Sequence, residues 1–150
     1  MVGRMETQDN LRRFFSSQSL GVLATEGDGK PHTSLVAFAF TEDLKKIIFA
    51  TTRASRKCSN IIFNPNVAML VDNRVNTIMD FKDAMAVTAL GKAREPKGVE
   101  REGLLRLYME RHDYLGDFAE SPTIALLVID VEMYNIVTRF QRVLELKMHG

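Results

Sequence analysis

Residues 47–65 read IIFATTRASRKCSNIIFNP, and this stretch is the most informative part of the chain. Its β-branched and aromatic start predicts a strand that ends at the hydroxyl residues Thr51 and Thr52. Ser55 is a favourable helix N-cap, and Asn64-Pro65 disfavours helical backbone, so a short helix is predicted between them. The stretch therefore predicts a strand, a turn and a helix in immediate succession.

The first turn of this helix has an unusual charge. Arg56 and Lys57 follow Ser55, whereas acidic side chains are the ones that stabilise a helix N-terminus. Unpaired backbone N–H groups at the same end attract anions. The pattern predicts an anion site that suits a phosphate. A solvated helix end, with Ser55 as an ordinary cap, is the alternative that this segment leaves open.

The flanking sequence supplies further strands and two clear helices. Apolar or alternating runs predict strands at 20–25, 32–40, 46–52, 67–72, 84–95 and 123–140. Helical spacing predicts a first helix capped by Thr7 or Asp9, and Pro96 opens a later one. Residues 73–81 are polar and aperiodic, which predicts a loop, and 113–121 are irregular or briefly helical.

The order of these elements predicts an α+β fold that is mainly β. Short turns join most of the strands, whereas a parallel sheet would need a helix at each crossover. The residues alone therefore favour a small antiparallel barrel with flanking helices.

Composition narrows the class of protein. The 150 residues suit one domain spanning 1–150, with 45% hydrophobic and 26% charged residues. The net charge of +1 gives no electrostatic reason to expect nucleic acid as a partner. No apolar run is long enough for a membrane span or a signal peptide, and the single Cys58 excludes an internal disulfide, so a cytoplasmic protein is expected.

Metal binding is not expected. The three histidines, His32, His112 and His149, have no partner at metal-ligand spacing. Cys58 is interpreted as a small buried residue, because no second cysteine or paired histidine accompanies it.

Three stretches resemble one family. The hydroxyl-rich strand end, Ser-Arg-Lys and Asn64-Pro65 are similar to the flavin-binding signature of the pyridoxamine 5′-phosphate oxidase-like split barrels. KPHTS at 30–34 resembles the preceding hairpin, and VTALGKA at 87–93 resembles a later long strand. The resemblance covers about residues 8–143. It implies a six-stranded antiparallel Greek-key split β-barrel and a homodimer with FMN at the subunit interface.

The resemblance also implies roles for particular residues. Thr51, Ser55, Arg56 and Lys57 would hold the FMN phosphate. The strand that runs beside the flavin ring matches Ser34, Leu35, Val36 and Ala37. The loop after the fourth strand would bring Asn73 and Arg74 near the flavin, with Arg74 toward its N1–O2 side, and Phe140 would wall the ring of the partner's flavin.

Two departures from the vitamin B6 oxidase shape the functional prediction. Ser34 and Ala39 stand where the oxidase has basic residues, and its Arg-x-His-type ending is absent after the last predicted strand, which ends near Val143. The chain is therefore predicted to be a short related member and not that oxidase.

Three functions follow from the resemblance. The first is an FMN-dependent oxidoreductase acting on an unidentified small molecule, and the second is a non-catalytic FMN carrier or electron-transfer module. The third is a different ligand on the same fold. That ligand is either haem, for which His112 is a candidate although a helix-end histidine is the commoner role, or a deazaflavin, which would also use Arg56 and Lys57.

Overall fold

The computed structural model describes residues 3–139 and 142–149. The helices are α1 (Arg4–Ser16), α2 (Arg56–Phe63), α3 (Asp80–Asp83), α4 (Gly98–Arg111) and α5 (Gly116–Glu120), with a 3₁₀ turn at Asp113–Leu115. The strands are β1 (Leu20–Gly27), β2 (Lys30–Phe40), β3 (Lys46–Thr52), β4 (Asn66–Asp72), β5 (Met85–Arg94), β6 (Ile124–Thr138) and β7 (Arg142–Lys147).

The sheet closes into a six-stranded antiparallel barrel, as predicted. The strands follow the order β3-β2-β1-β4-β5-β6, and an additional β3–β6 pairing closes the ring. The first half of β6 pairs with β3, from Ile124 opposite Thr52 to Asp130 opposite Lys46. Its second half pairs with β7, which lies outside the ring. The flanking helices and this topology match the split-barrel fold.

Three sequence predictions about element ends are wrong. The last strand was predicted to end near Val143. In the structure, residues 142–147 instead form a separate strand, β7, which pairs with the second half of β6. The first helix begins at Arg4 with Gly3 as its N-cap, and the Thr7 hydroxyl donates to Gly3 O at 3.1 Å from inside the helix. The later helix begins at Gly98, two residues beyond Pro96.

Two hydrophobic clusters hold the barrel together. The inner one fills the barrel and includes Phe15, Phe38, Phe49 and Tyr134. The second lies beneath α4 and includes Ile48, Ala50, Leu104, Tyr108 and Leu126. Strand β3 is buried on both faces because it contributes to both clusters, which explains why its sequence is an unbroken apolar run.

Close strand contact explains the glycine in β5, Gly91. The pairing of β5 with β6 shifts register between Leu90 and Gly91. A Cβ at Gly91 would overlap the backbone carbonyl of Asp130, so the glycine permits this approach. The backbone that approaches Gly91 therefore belongs to the neighbouring strand β6.

Candidate functional site

The N-terminus of α2 is built by two hydroxyl side chains. Ser55 has extended backbone and accepts a hydrogen bond from Cys58 N at 3.3 Å, which makes it the N-cap. Thr51, buried at the end of β3, donates its hydroxyl to Ser55 Oγ at 3.4 Å. The end of β3 thus holds the cap of the following helix, as the strand–turn–helix pattern predicted.

The cations of this segment fall into two kinds. Arg53 donates to both carboxylate oxygens of Glu95, at 3.0 and 2.7 Å, and its backbone N–H donates to Thr123 O at 2.9 Å. The side chains of Arg56 and Lys57 make no hydrogen bond or ion pair within 3–139 and 142–149. Two uncompensated cations therefore flank a helix N-terminus, which is the arrangement that binds a phosphate.

Strand β2 places its candidate residues on opposite faces. The side chain of Val36 is buried in the barrel core, whereas that of Leu35 is 65% exposed on the outside. Ser34 lies on the same face as Val36, and its Oγ is buried without a hydrogen-bond partner in the described chain. His32 Nδ1, two residues earlier on that face, is also buried and unpartnered among the described residues.

His32 is a residue that the sequence did not single out for the site. It lies opposite Thr25 in the β1–β2 ladder, and Thr25 Oγ1 accepts a hydrogen bond from Asn60 of α2 at 3.0 Å. Because directly opposite side chains share a face of the sheet, this register places His32 on the side of β2 that faces α2. A buried polar atom without a partner is uncommon in folded proteins, so the two orphan atoms of β2 suit a polar ligand at this end of the barrel.

Strands β2 and β3 separate beside these residues. They pair only from Phe38 opposite Phe49 to Phe40 opposite Ile47. Phe38 N–H donates to Ser19 O on the β1 side, so alternation along the strand turns the backbone groups of Leu35 and Ala37 toward β3. Ala37 O accepts from the Tyr108 hydroxyl at 3.3 Å, while the backbone edge of Leu35 faces no strand of the described chain.

Asn73 and Arg74 lie on the other side of the barrel wall. Asn73 Oδ1 accepts from Met85 N at 2.7 Å and so closes the loop between β4 and β5. Arg74 Nε pairs with Asp72 Oδ2 at 3.1 Å, and its side chain is largely exposed. Beside them is a cavity of about 250 Å³ lined by Leu70, Asp72, Arg74, Asp80, Ala84, Met85, Ala86 and Val137.

Within one subunit, the structure does not bring the candidate residues of β2 together with Asn73 and Arg74. Strand β1 lies between β2 and β4, the strand that Asn73 and Arg74 follow, so that two strand spacings, about 10 Å along the wall, separate the groups. The outer face between them is apolar. Leu35, Val22 and Leu70 occupy consecutive positions across β2, β1 and β4. Leu35 and Leu70 are both exposed. Phe140 lies outside the described residues.

The side chains of His112 and Cys58 are both buried and packed within the fold. His112 is buried beside Tyr108, and its Nε2 lies 2.6 Å from Phe38 O at the C-terminal end of α4. Cys58 is buried under α2 in the barrel core. Across the described ranges, no three His, Cys, Asp or Glu side chains converge as a metal site. None of the described helices is both long enough and apolar enough to cross a membrane.

The fold is shared with solved structures of low sequence identity. A haem-binding protein from Mycobacterium smegmatis is 16% identical, with a TM-score of 0.84 over 98% of this chain, which spans 59% of that protein. General stress protein 26 from Bacillus anthracis is 21% identical, with a TM-score of 0.74 over 96% of this chain and 100% of that one. The haem storage protein HutZ from Vibrio cholerae is 16% identical, with a TM-score of 0.73 over 87% and 92%. These likenesses show the fold alone.

Sequence comparison identifies the family. A search of curated protein sequences finds no significant match. The family model described as pyridoxamine 5′-phosphate oxidase matches residues 7–138, which include the end of β3, all of α2 and the separated part of β2. The chain therefore belongs to the pyridoxamine 5′-phosphate oxidase family.

Proposed function

We propose that this protein is an FMN-binding flavoprotein and that it acts as an oxidoreductase on a small molecule. The observation that carries the proposal is the α2 N-terminus, where Thr51 and Ser55 supply hydroxyls and Arg56 and Lys57 are cations without partners in the described chain. The absence of basic residues at positions 34 and 39, which are Ser34 and Ala39, favours a related member over the vitamin B6 oxidase.

The phosphate would be held at this helix end. Arg56 can donate two parallel N–H bonds to phosphate oxygens, and Lys57 acts as a compact charge. Backbone N–H groups of the first turn add partial positive charge. The hydroxyls of Ser55 and Thr51 can donate as well, because each rotates to suit its acceptor.

The ring would lie along the separated part of β2. Ser34 Oγ is a buried polar atom without a partner among the described residues, and the backbone edge of Leu35 faces no strand there. These groups match the edge of a flavin, which carries both donors and acceptors. FMN, when bound, supplies the redox chemistry, and the protein orients it and sets the charge near the ring.

A homodimer would complete the site. A twofold axis on the exposed face of Val22, Leu35 and Leu70 would cover this apolar surface. It would also bring Arg74 and the adjoining cavity of a second copy toward β2 of the first. Arg74 would then be a candidate to stabilise negative charge on reduced flavin, and the cavity would be the substrate side. A cytoplasmic location agrees with the single free Cys58.

Haem is the second candidate, because two proteins of the same fold are described as haem-binding and haem-storage proteins. His112 was the haem ligand that the sequence suggested. Its Nε2 is engaged with Phe38 O and the ring is 2% exposed, so haem ligation would require this histidine to leave its pocket. A deazaflavin, or a non-catalytic role with FMN, would use the same residues at the α2 N-terminus. We call this set, Thr51, Ser55, Arg56 and Lys57, the α2 cradle.

The test is an absorbance spectrum of the purified protein, followed by titration with FMN, haem and a deazaflavin. A yellow protein, or saturable binding of one FMN per chain, is the expected result. A Soret band with no FMN binding would replace flavin with haem. If neither FMN nor deazaflavin binds, the α2 end is an ordinary helix cap and the proposal fails.

A further inference from the structure

We propose that Tyr108 is a positioning residue that holds β2 and β3 apart and keeps the backbone edge of Leu35 free for the flavin. The inference rests on the proposed FMN site and adds a residue of α4 that no sequence motif marks. Tyr108 lies outside the barrel, 1% exposed in the cluster beneath α4. Its hydroxyl reaches β2 at the point where β2 and β3 separate.

The register of the ladder shows which bond Tyr108 replaces. Ala39 pairs with Ile48, and continuation by two residues would pair Ala37 with Ala50. Because alternate residues of β2 face β3, Ala37 and Ala50 would exchange the next hydrogen bonds of the ladder. The Tyr108 hydroxyl donates to Ala37 O at 3.3 Å, and Ala50 belongs to the same buried cluster as Tyr108. A side-chain hydroxyl thus takes the place of the β3 backbone as the hydrogen-bond partner of Ala37 O.

Neighbouring residues support this arrangement. Burial raises the pKa of Tyr108 to about 12, so its hydroxyl keeps the proton that it donates. His112, the residue that follows α4, contacts Phe38 O at 2.6 Å on the opposite edge of β2. The side chains of Ala37 and Ala50 are small, which leaves room for the phenol ring of Tyr108 against both strands. Tyr108 in the last turn of α4 and His112 just after it therefore contact opposite edges of β2 where β3 departs.

The consequence for the flavin follows from the same register. If the ladder continued past Ala37, Leu35 would pair with Thr52 and its backbone groups would be used by β3. The position of Thr51 relative to Val36 would change with it, and Thr51 supports the Ser55 cap. Tyr108 therefore keeps the ring-side backbone edge and the phosphate-side hydroxyls in the relation that one FMN molecule would need.

The test compares Tyr108→Phe with Tyr134→Phe. Tyr134 is also fully buried and donates its hydroxyl to a backbone carbonyl, Leu44 O, at 2.6 Å, but at the β2–β3 turn and away from the separated strands. Both variants lose one buried hydroxyl, so a loss of stability common to both is accounted for. Y108F is expected to weaken FMN binding about tenfold relative to Y134F. Y108L, which also shortens the side chain, is expected to weaken it further.

A second measurement does not need FMN. In the apo wild type, NMR is expected to show the Hα–Hα contact between Phe38 and Phe49 and to lack the contact between Val36 and Thr51. The second contact is expected to appear in Y108F as the strands pair further, and to be absent in Y134F.

The two readouts separate the two ideas. A wild type that binds no FMN overturns the proposed function, and the NMR comparison then decides on Tyr108 alone. Equal FMN affinity in Y108F and Y134F, or no Val36–Thr51 contact in Y108F, would overturn the role of Tyr108.

Discussion

Arg53 and Glu95 form a two-pronged ion pair across 42 residues of sequence, with Nη1–Oε1 and Nη2–Oε2 distances of 3.0 and 2.7 Å. The pair ties the turn before α2 to the residue that follows β5. Arg53 Nε also donates to Pro122 O at 3.3 Å, just before β6 begins. The turn that carries the α2 cradle is therefore fixed to two other strands by one arginine.

Replacing Glu95 by Gln should lower the free energy of unfolding at pH 7. It should also reduce the loss of stability that the protein shows at acid pH. Hydrogen bonds from Arg53 hold the pKa of Glu95 below its ordinary value of 4.5. Such a group stabilises the fold above its unfolded pKa, and the contribution is lost as the pH falls through the lower folded value. Because the pair is partly exposed, E95Q should cost no more than about 1 kcal/mol at pH 7.

Urea unfolding at pH 7 and at pH 3.5 measures this effect. The difference in unfolding free energy between E95Q and wild type should shrink at the lower pH. An equal difference at both values would show that the carboxylate charge of Glu95 does not contribute.

Removing both cations of the α2 first turn should abolish most of the FMN affinity. In Arg56→Ala/Lys57→Ala, two charge-assisted interactions with phosphate are lost, each about 1.5–3 kcal/mol. The expected increase in Kd is therefore at least about a hundredfold. Arg106→Ala/Arg142→Ala removes the same charge from exposed positions on α4 and β7 and serves as the control.

Fluorescence titration with FMN and with riboflavin completes this test. Riboflavin lacks the phosphate, so its affinity should change little in the double variant. An unchanged FMN Kd, or an equal loss for both ligands, would place the phosphate elsewhere.

The part of the fold that sequence predicts best is the part set by local signals. Residues 47–65 form strand, turn and helix as expected, because β-propensity, the Ser55 cap and Asn64-Pro65 agree. The strand β7 was not predicted because it is a six-residue exposed edge strand whose partner is the second half of β6. Pairing of this kind is a tertiary effect.

The candidate site shows the same division. Ser55 as a cap with Arg56 and Lys57 beside it follows from their spacing. The pairing of Arg53 does not, because Glu95 is distant in sequence and three cations within five residues look alike. Nor does the gap between β2 and β3, since Tyr108 reaches it from a helix whose pattern indicates only a buried stripe.

Adding one methyl group at Gly27 should disturb α2. A Cβ at this position would overlap the side-chain oxygen of Asn60, whose amide donates to Thr25 Oγ1 inside the fold. Either Asn60 moves and leaves a buried group without its bond, or α2 shifts. We expect Gly27→Ala to cost about 1–3 kcal/mol and to weaken FMN binding as well.

Gly103→Ala is the matched substitution for this experiment. Gly103 lies within α4, and an alanine Cβ there would meet no atom within 4 Å apart from its own helix backbone, so alanine should stabilise the helix by about 0.5–1 kcal/mol. Thermal unfolding of both variants gives the comparison. A Gly27→Ala protein as stable as wild type would show that Asn60 adapts without loss.

A charge placed in the exposed apolar face should produce monomers. Leu35→Asp lies next to Val22 and, across one further strand, Leu70, so a covering second copy would have to bury its carboxylate without a partner. Val99→Asp adds the same charge on α4, at a side chain that is even more exposed, and should leave the assembly unchanged.

Light scattering reports the mass of each variant, and FMN titration of the same samples reports whether the site still binds. Because the proposed dimer draws Arg74 and its cavity from a second copy, loss of the dimer should weaken FMN binding together with mass. A wild-type monomer that binds FMN would show instead that one chain suffices, and the apolar face would then have another role.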